Sequence, residues 1–260
     1  MMPRRDRSHR SAAEEEAFTL PADRLPWLIR ASCAVARLLA RCSTRVDIEG
    51  LEHVPREGAL ILASNHASHA DPPLIHAWLV PALGRPIHWM AKAEALSLPV
   101  IGWFFKRIGA FGIRRGAADT EAFRLARRVL DEGRVLGAFP EGTRSADGRM
   151  QTGKDGVALL ALRTGAPVLP IGCAGTCRFW PRGRLLWRIG GRVTVRVGEP
   201  FALERRVLPD GRKESLEEVT DRLMRRIAAL VPEDQRGVYA TAVIPDPGPA
   251  AAGPGSPTNP

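Results

Sequence analysis

Residues 59–73 read ALILASNHASHADPP, and the fold turns on how this stretch is parsed. Ala59 to Ala63 is a short unbroken apolar run, as in a strand buried on both faces of a sheet. Asp71-Pro72-Pro73 reads as a helix start, with Asp71 placed to cap it and proline in the first turn. The helix runs on through Leu79. A buried strand that feeds a helix through a polar turn is a building unit of α/β sheets, and sites gather at the strand ends of such sheets.

The same alternation extends in both directions. Upstream, Val46 to Asn65 reads as strand, turn, strand. Downstream come a strand at His88–Ala91, a helix from Asp119 (as cap) to Leu130, and a buried strand at Val135–Phe139. A helix at Gly156–Arg163 and a strand at Pro167–Cys173 follow. Leu185–Ile189 and Arg192–Val197 suggest a hairpin through Gly190-Gly191, and Glu214–Leu230 is a helix. There are no internal repeats. The expectation is a single α/β domain over residues 46–232, with a mostly parallel central sheet flanked by helices.

Residues 1–23 form a polar arm predicted to be disordered, and residues 24–45 an amphipathic helix. From Trp27 to Arg45 no acidic residue occurs. Arg30, Arg37, Arg41 and Arg45 fall on one side, and Leu28, Ser32, Val35, Ala36 and Leu39 on the other. This helix can lie on an anionic membrane or pack on its own domain, and the motifs below favour the membrane. The run Leu96–Phe105 is too short to span a bilayer and reads as core or as an interfacial segment. Residues 245–260 are rich in Pro, Gly and Ala and have no means of forming a core.

The chain has 260 residues and a formal net charge of +10. That balance favours an anionic partner: nucleic acid, an acidic membrane surface or a phosphorylated substrate. Nucleic acid is disfavoured, because there is one Tyr, no aromatic RNA-binding pattern, and no zinc or helix-turn-helix signature. The four cysteines, Cys33, Cys42, Cys173 and Cys177, show no CxxC pair and no metal spacing. They read as small buried hydrophobes in a reducing compartment, with no metal site. No secretory leader is visible, and no apolar run reaches the ~18 residues of a spanning helix. The expected location is the cytoplasmic face of the membrane, with peripheral contact.

Two motifs carry chemistry. In Asn65-His66-Ala67-Ser68-His69-Ala70-Asp71, a carboxylate five residues after His66 can fold back across the turn to hold one ring nitrogen. The other nitrogen is then free to take a proton. The plainer alternative is that His66 only caps the turn. His69 lies too near Asp71 to fold back onto it. The second motif, Phe139-Pro140-Glu141-Gly142-Thr143-Arg144-Ser145, follows a buried strand. Gly142 permits close backbone approach, Thr143 supplies a hydroxyl, and Arg144 offers a planar fork suited to a phosphate. Glu141 either braces the loop or touches the substrate.

Together, NHxxxxD and FPEGTRS some seventy residues later resemble the glycerolipid acyltransferase family, the PlsC-type lysophosphatidic acid acyltransferases. The resemblance covers roughly residues 46 to 200. Gly109–Arg115 resembles the family's substrate-binding block, with Arg115 matched to its arginine. Ala166–Ile171 resembles the fourth block, with Pro170 at its proline. Lys92, the pair Lys154 and Gly156, and Val197–Pro200 resemble further recurring features.

The resemblance implies an O-acyltransferase that uses His66 as general base and Asp71 to orient it. Arg115, Glu141, Gly142, Thr143, Arg144 and Lys92 would then form the substrate site. The donor would be acyl-CoA or acyl-carrier protein, the acceptor lysophosphatidic acid, and no cofactor is needed. The chain lacks a GxSxG elbow, and no cysteine adjoins the motif in sequence, which suits direct transfer without an acyl-enzyme. Backbone amides near Gly142 are candidates to stabilise the oxyanion. The alternatives are glycerol-3-phosphate, another lysophospholipid or an acylated amino acid as acceptor, or a non-catalytic protein that binds anionic membranes.

Overall fold

In the computed structural model, which describes residues 25–92, 99–113, 120–184 and 186–241, the run 59–64 becomes the middle of a seven-stranded sheet. Strand β1 is Arg45–Glu49, β2 Leu60–Ser64, β3 Ile87–Lys92, β4 Phe111–Ile113, β5 Val135–Ala138, β6 Val168–Ala174 and β7 Arg192–Val197. Their order across the sheet is β1-β7-β6-β2-β5-β3-β4. All neighbours are parallel except β6 and β7. Five strands therefore run one way, and the edge pair β1–β7 runs the other.

The unbroken apolar character of β2 follows from its place. Leu60 and Leu62 point into one core layer, and Ile61 and Ala63 into the other. All five residues of the strand are buried; the first four are apolar, and the fifth, Ser64, gives its hydroxyl to Asn65 O. Helices α1 (Trp27–Ser43) and α2 (Asp71–Leu83) cover the first face. Helix α3 (Pro99–Arg107) follows β3. The second face is covered by α4 (Thr120–Asp131), α5 (Gly156–Thr164) and α7 (Leu216–Ala228), and the short α6 (Thr176–Phe179) follows β6. Helix α7 starts on a capping box: Ser215 Oγ accepts from Glu218 N–H, and Glu218 Oε2 accepts from Ser215 N–H.

Three expectations change. Residues 186–189 form no strand, so there is no hairpin at 185–197; β7 pairs instead with β1 and β6. Residues Gly190 and Gly191 join the C-terminal end of α1, through Gly190 N–H to Ser43 O and Arg45 N–H to Gly191 O. Asp71 begins α2 but does not cap it, because its side chain turns back into the preceding loop.

The third change concerns α1. Its buried residues are Ile29, Cys33 and Ala40, which pack toward α2, while Val35 and Leu39 are exposed together with Trp27 and Leu38. The helix thus has an inner apolar face for its own domain and a second apolar face turned outward. Arg30 and Arg41 flank the outer face. Among the described residues no helix is long and apolar enough to cross a membrane. The arm at 1–23, the cap Asp119, Leu96–Leu98, Arg115 and the tail at 245–260 lie outside the described residues.

Candidate active site

Strands β6, β2 and β5 are adjacent and parallel, so the loops that leave their C-terminal ends meet. The loop after β2 carries Asn65 to Ala70, and the loop after β5 carries Phe139 to Ser145. Asn65, 2% exposed, sets the point at which the chain leaves the sheet. Its Oδ1 accepts from Cys173 N–H at 2.7 Å and its Nδ2 donates to Cys173 O at 2.9 Å. The amide side chain thereby imitates one more peptide of the β2–β6 ladder. The backbone is free to turn, and His66 is the first residue of the turn.

His66 Nδ1 lies 2.9 Å from Asp71 Oδ2. The same oxygen accepts the backbone N–H groups of Ala67 at 2.8 Å and Ser68 at 2.7 Å. Asp71 is fully buried, whereas His66 keeps 13% of its side-chain surface. Three donors on one oxygen of an acceptor-only group fix the tautomer: Nδ1 carries the hydrogen and Nε2 the lone pair. Among the described residues nothing bonds to Nε2. The face of the ring rests on Phe139 at 4.0 Å and 18°, and Phe139 rests on the buried Trp89 at 5.6 Å. An aromatic column therefore stops the imidazole from rocking about its hydrogen bond.

The second motif fastens the first from below. Glu141, 2% exposed, accepts His66 N–H on Oε1 at 2.9 Å and Gln151 N–H on Oε2 at 3.1 Å. Ser145 N–H donates to His66 O at 2.8 Å. Burial pushes the Glu141 carboxyl up to about 7, against the pull of those two amides. With both oxygens engaged inside the protein, Glu141 is a brace. Gly142 (φ 68°) closes a turn by donating its N–H to Phe139 O at 2.9 Å. Its amide is thus taken and does not serve as an oxyanion donor. The Thr143 N–H has no acceptor among the described residues.

Arg144 and Thr143 are partly exposed on the rim of this loop, and Arg182 Nη1 reaches Arg144 O at 3.4 Å. Lys92 ends β3, two strands from β2, and its side chain is outside the described set, as is Arg115. His69 faces outward against Trp180, with ring centroids 5.6 Å apart. Burial, and then Arg144, lower its pKa. It has no carboxylate of its own.

The fold does bring one cysteine to the motif, contrary to what sequence distance implied: Cys173 sits beside Asn65. Complete burial raises its thiol pKa well above the ordinary value, so it stays protonated and inert. Ser68 Oγ donates to Trp180 O at 2.7 Å and is likewise engaged. The supporting roles of Asn65, Phe139 and Trp89 are not visible in the sequence. Their roles depend on Cys173, on His66 and on each other across the sheet, and no local pattern carries that.

A family model described as Acyltransferase matches residues 45–174, half of the chain. The chloroplastic 1-acyl-sn-glycerol-3-phosphate acyltransferase BAT2 of Brassica napus is 32% identical over 174 residues, 64% of this chain and 49% of that protein. A lyso-ornithine lipid O-acyltransferase of Pseudomonas aeruginosa is 34% identical over 139 residues, 53% of this chain and 50% of that one. The chain thus spans about half the length of these relatives. The crystal structure of the 1-acyl-sn-glycerophosphate (LPA) acyltransferase PlsC from Thermotoga maritima matches with a TM-score of 0.62 at 28% identity. It covers 76% of this chain and 75% of its own. The matched span holds the central strands β2, β5 and β6 together with both motif loops. This chain belongs to the Acyltransferase family, and its fold is similar to that of PlsC.

Proposed function

We propose that the protein transfers a fatty acyl group from acyl-CoA or acyl-carrier protein to the free hydroxyl of lysophosphatidic acid, giving phosphatidic acid. The observation that carries this is the 2.9 Å contact between His66 Nδ1 and a buried Asp71 oxygen, which aims the lone pair of Nε2 out of the loop. In this reading Nε2 takes the hydroxyl proton as the acceptor oxygen attacks the thioester carbonyl. The carbonyl becomes a tetrahedral oxyanion, for which the Thr143 N–H is the available loop amide. Collapse breaks the C–S bond, and the imidazolium returns its proton to the leaving thiolate. The Asp71 carboxylate faces the ring throughout and favours it while it is charged. No covalent acyl-enzyme is needed, which agrees with the engaged Ser68 and the protonated Cys173. Arg144 and Arg115 are the forks for the acceptor phosphate, and Lys92 adds positive charge at a nearby strand end.

The same reading places the protein peripherally at the cytoplasmic face of an anionic membrane. The outward apolar side chains of α1, flanked by Arg30 and Arg41, support the membrane contact, and four free cysteines suit a reducing compartment. The deciding experiment is an acyl-transfer assay that crosses acyl-CoA and acyl-carrier protein with lysophosphatidic acid, glycerol-3-phosphate and lyso-ornithine lipid. The last acceptor is included because one relative bears that name. Preferential product from lysophosphatidic acid supports the reading; preferential product from another acceptor replaces it.

A further inference from the structure

The loop after α6 presents a second apolar and cationic surface. Leu186 is 70% exposed and Ile189 is 87% exposed, the most of any large apolar side chain described. Residues 176–197 contain no acidic residue. Arg178, Arg192 and Arg196 of this segment reach acidic residues on other elements, Asp234, Asp47 and Glu49. Among the described residues, Arg182, Arg184 and Arg188 have no acidic partner.

The loop is held rigidly despite that exposure. Trp187 Nε1 donates to Ser43 Oγ at 2.8 Å, and its ring packs edge-on against Trp180 at 5.5 Å. Arg188 N–H donates to Phe179 O at 2.8 Å, and Trp180 Nε1 to Arg184 O at 3.0 Å. The loop is therefore pinned at one end to the C-terminal turn of α1. At the other it touches the active-site loop, through Ser68 Oγ on Trp180 O and Arg182 on Arg144 O. A fixed loop that displays two aliphatic tips beside unpaired guanidinium groups suits a surface that is apolar within and anionic at its edge. An anionic phospholipid bilayer is such a surface.

We propose that Leu186 and Ile189 insert into the interface of an anionic phospholipid bilayer while Arg184 and Arg188 lie on its headgroups, so that this loop seats the rim of the active site on the membrane. The proposal rests on the acyltransferase reading only for its purpose; docking itself is a separate property. Helix α1 and this loop then form two points of contact joined through Ser43.

The test uses the full-length chain and vesicles of phosphatidylglycerol or phosphatidylcholine. The variant carrying Leu186→Ser and Ile189→Ser should sediment with phosphatidylglycerol vesicles at least about tenfold more weakly than wild type. Its activity from acyl-CoA on detergent-dispersed lysophosphatidic acid should be unchanged. Arg184→Gln with Arg188→Gln should lose binding to phosphatidylglycerol and change little on phosphatidylcholine. A second measurement covers any folding defect: a nitroxide on an Ile189→Cys variant in a Cys42→Ser background. With vesicles it should gain oxygen access and lose access to a nickel chelate. Wild-type sedimentation by both double variants, or an unchanged nitroxide, overturns the proposal. So does intact vesicle binding with activity lost only from acyl-carrier protein, which would make the loop a dock for that acidic donor. If no acceptor is acylated even by wild type, the enzymatic reading fails, and sedimentation still decides the docking.

Discussion

The backbone N–H of His66 donates to Oε1 of Glu141 at 2.9 Å, which joins the two motifs directly across 75 residues of chain. The other oxygen of Glu141 holds Gln151. The proposed base is thereby positioned by a carboxyl whose two oxygens are both held by backbone amides. Burial pushes that carboxyl up to about 7, above its ordinary 4.5. An acid whose pKa is raised on folding stabilises fully below its ordinary value, and the contribution fades as pH rises through about 7.

Glu141→Gln keeps the shape, replaces one acceptor with a donor and cannot ionise. We expect kcat to fall about tenfold with the acceptor KM nearly unchanged, because a buried N–H on His66 loses its partner. The loss of stability between pH 4.5 and 7 that belongs to this group should vanish. Steady-state kinetics and denaturant unfolding across that range check both; a rise in acceptor KM alone would make Glu141 a substrate contact instead.

His66→Ala should lower kcat by about 10²–10⁴-fold while near-native circular dichroism is kept. Asp71→Asn should cost less, because it keeps an oxygen for the loop amides yet removes the charge that faces the ring. Near-native turnover in a folded His66→Ala variant would falsify the general-base role.

Arg144→Ala should raise the acceptor KM by about 10–100-fold, as hydrogen bonds to charged groups are worth about 1.5–3 kcal/mol. The donor KM should hold. Kinetics with each substrate varied in turn separate the two, and a defect confined to the thioester would reassign the arginine.

Gly137 tests the aromatic column. A Cβ there would lie 2.6 Å from the Trp89 ring. Gly137→Ala must push Trp89 toward Phe139 and so tilt His66, at a cost of about 1–3 kcal/mol in stability. The expected signature is reduced kcat with little change in KM. Wild-type kcat in this variant would show that the column is packing alone.

His76 lies buried in α2, neither ring nitrogen has a hydrogen-bond partner among the described residues, and burial lowers its pKa to about 4. The unfolded chain binds this proton more readily, so stability contributed here is full above pH 6.5 and lost as pH falls toward 4. His76→Phe should shrink the stability difference between pH 7.5 and pH 5 by about 2 kcal/mol. Urea unfolding at the two pH values measures it; an unchanged difference would mean that the ring finds a proton partner.

Much of this was legible from the chain. β2 and β5 announce themselves because both faces are buried, and the His66–Asp71 contact is legible because both residues lie in one local string. What escaped depends on partners distant in sequence. Asn65 gains its role from Cys173, which is 108 residues away. The arginine stripe divides helix α1 along its charge, yet burial follows Ile29, Cys33 and Ala40 instead. A helix with two apolar faces shows only one of them in a periodicity count. Gly190-Gly191 suggests a hairpin because it is a good turn, but β7 pairs with β1 and β6 instead.

The pairing with β1 has a consequence for how the protein is made. β1 meets only β7, and Thr44 Oγ1 meets Gly191 O across 147 residues of chain. As the chain leaves the ribosome, β2, β5 and β6 can close the catalytic loops while β1 still has nothing to pair with. Its hydrogen-bonding edge stays open until the last strand emerges. Late closure of so long a loop is slow, and an open edge invites association in the interval. The edge pair β1–β7 thus cannot form until residue 197 is made, and helix α7 closes the second face only after that.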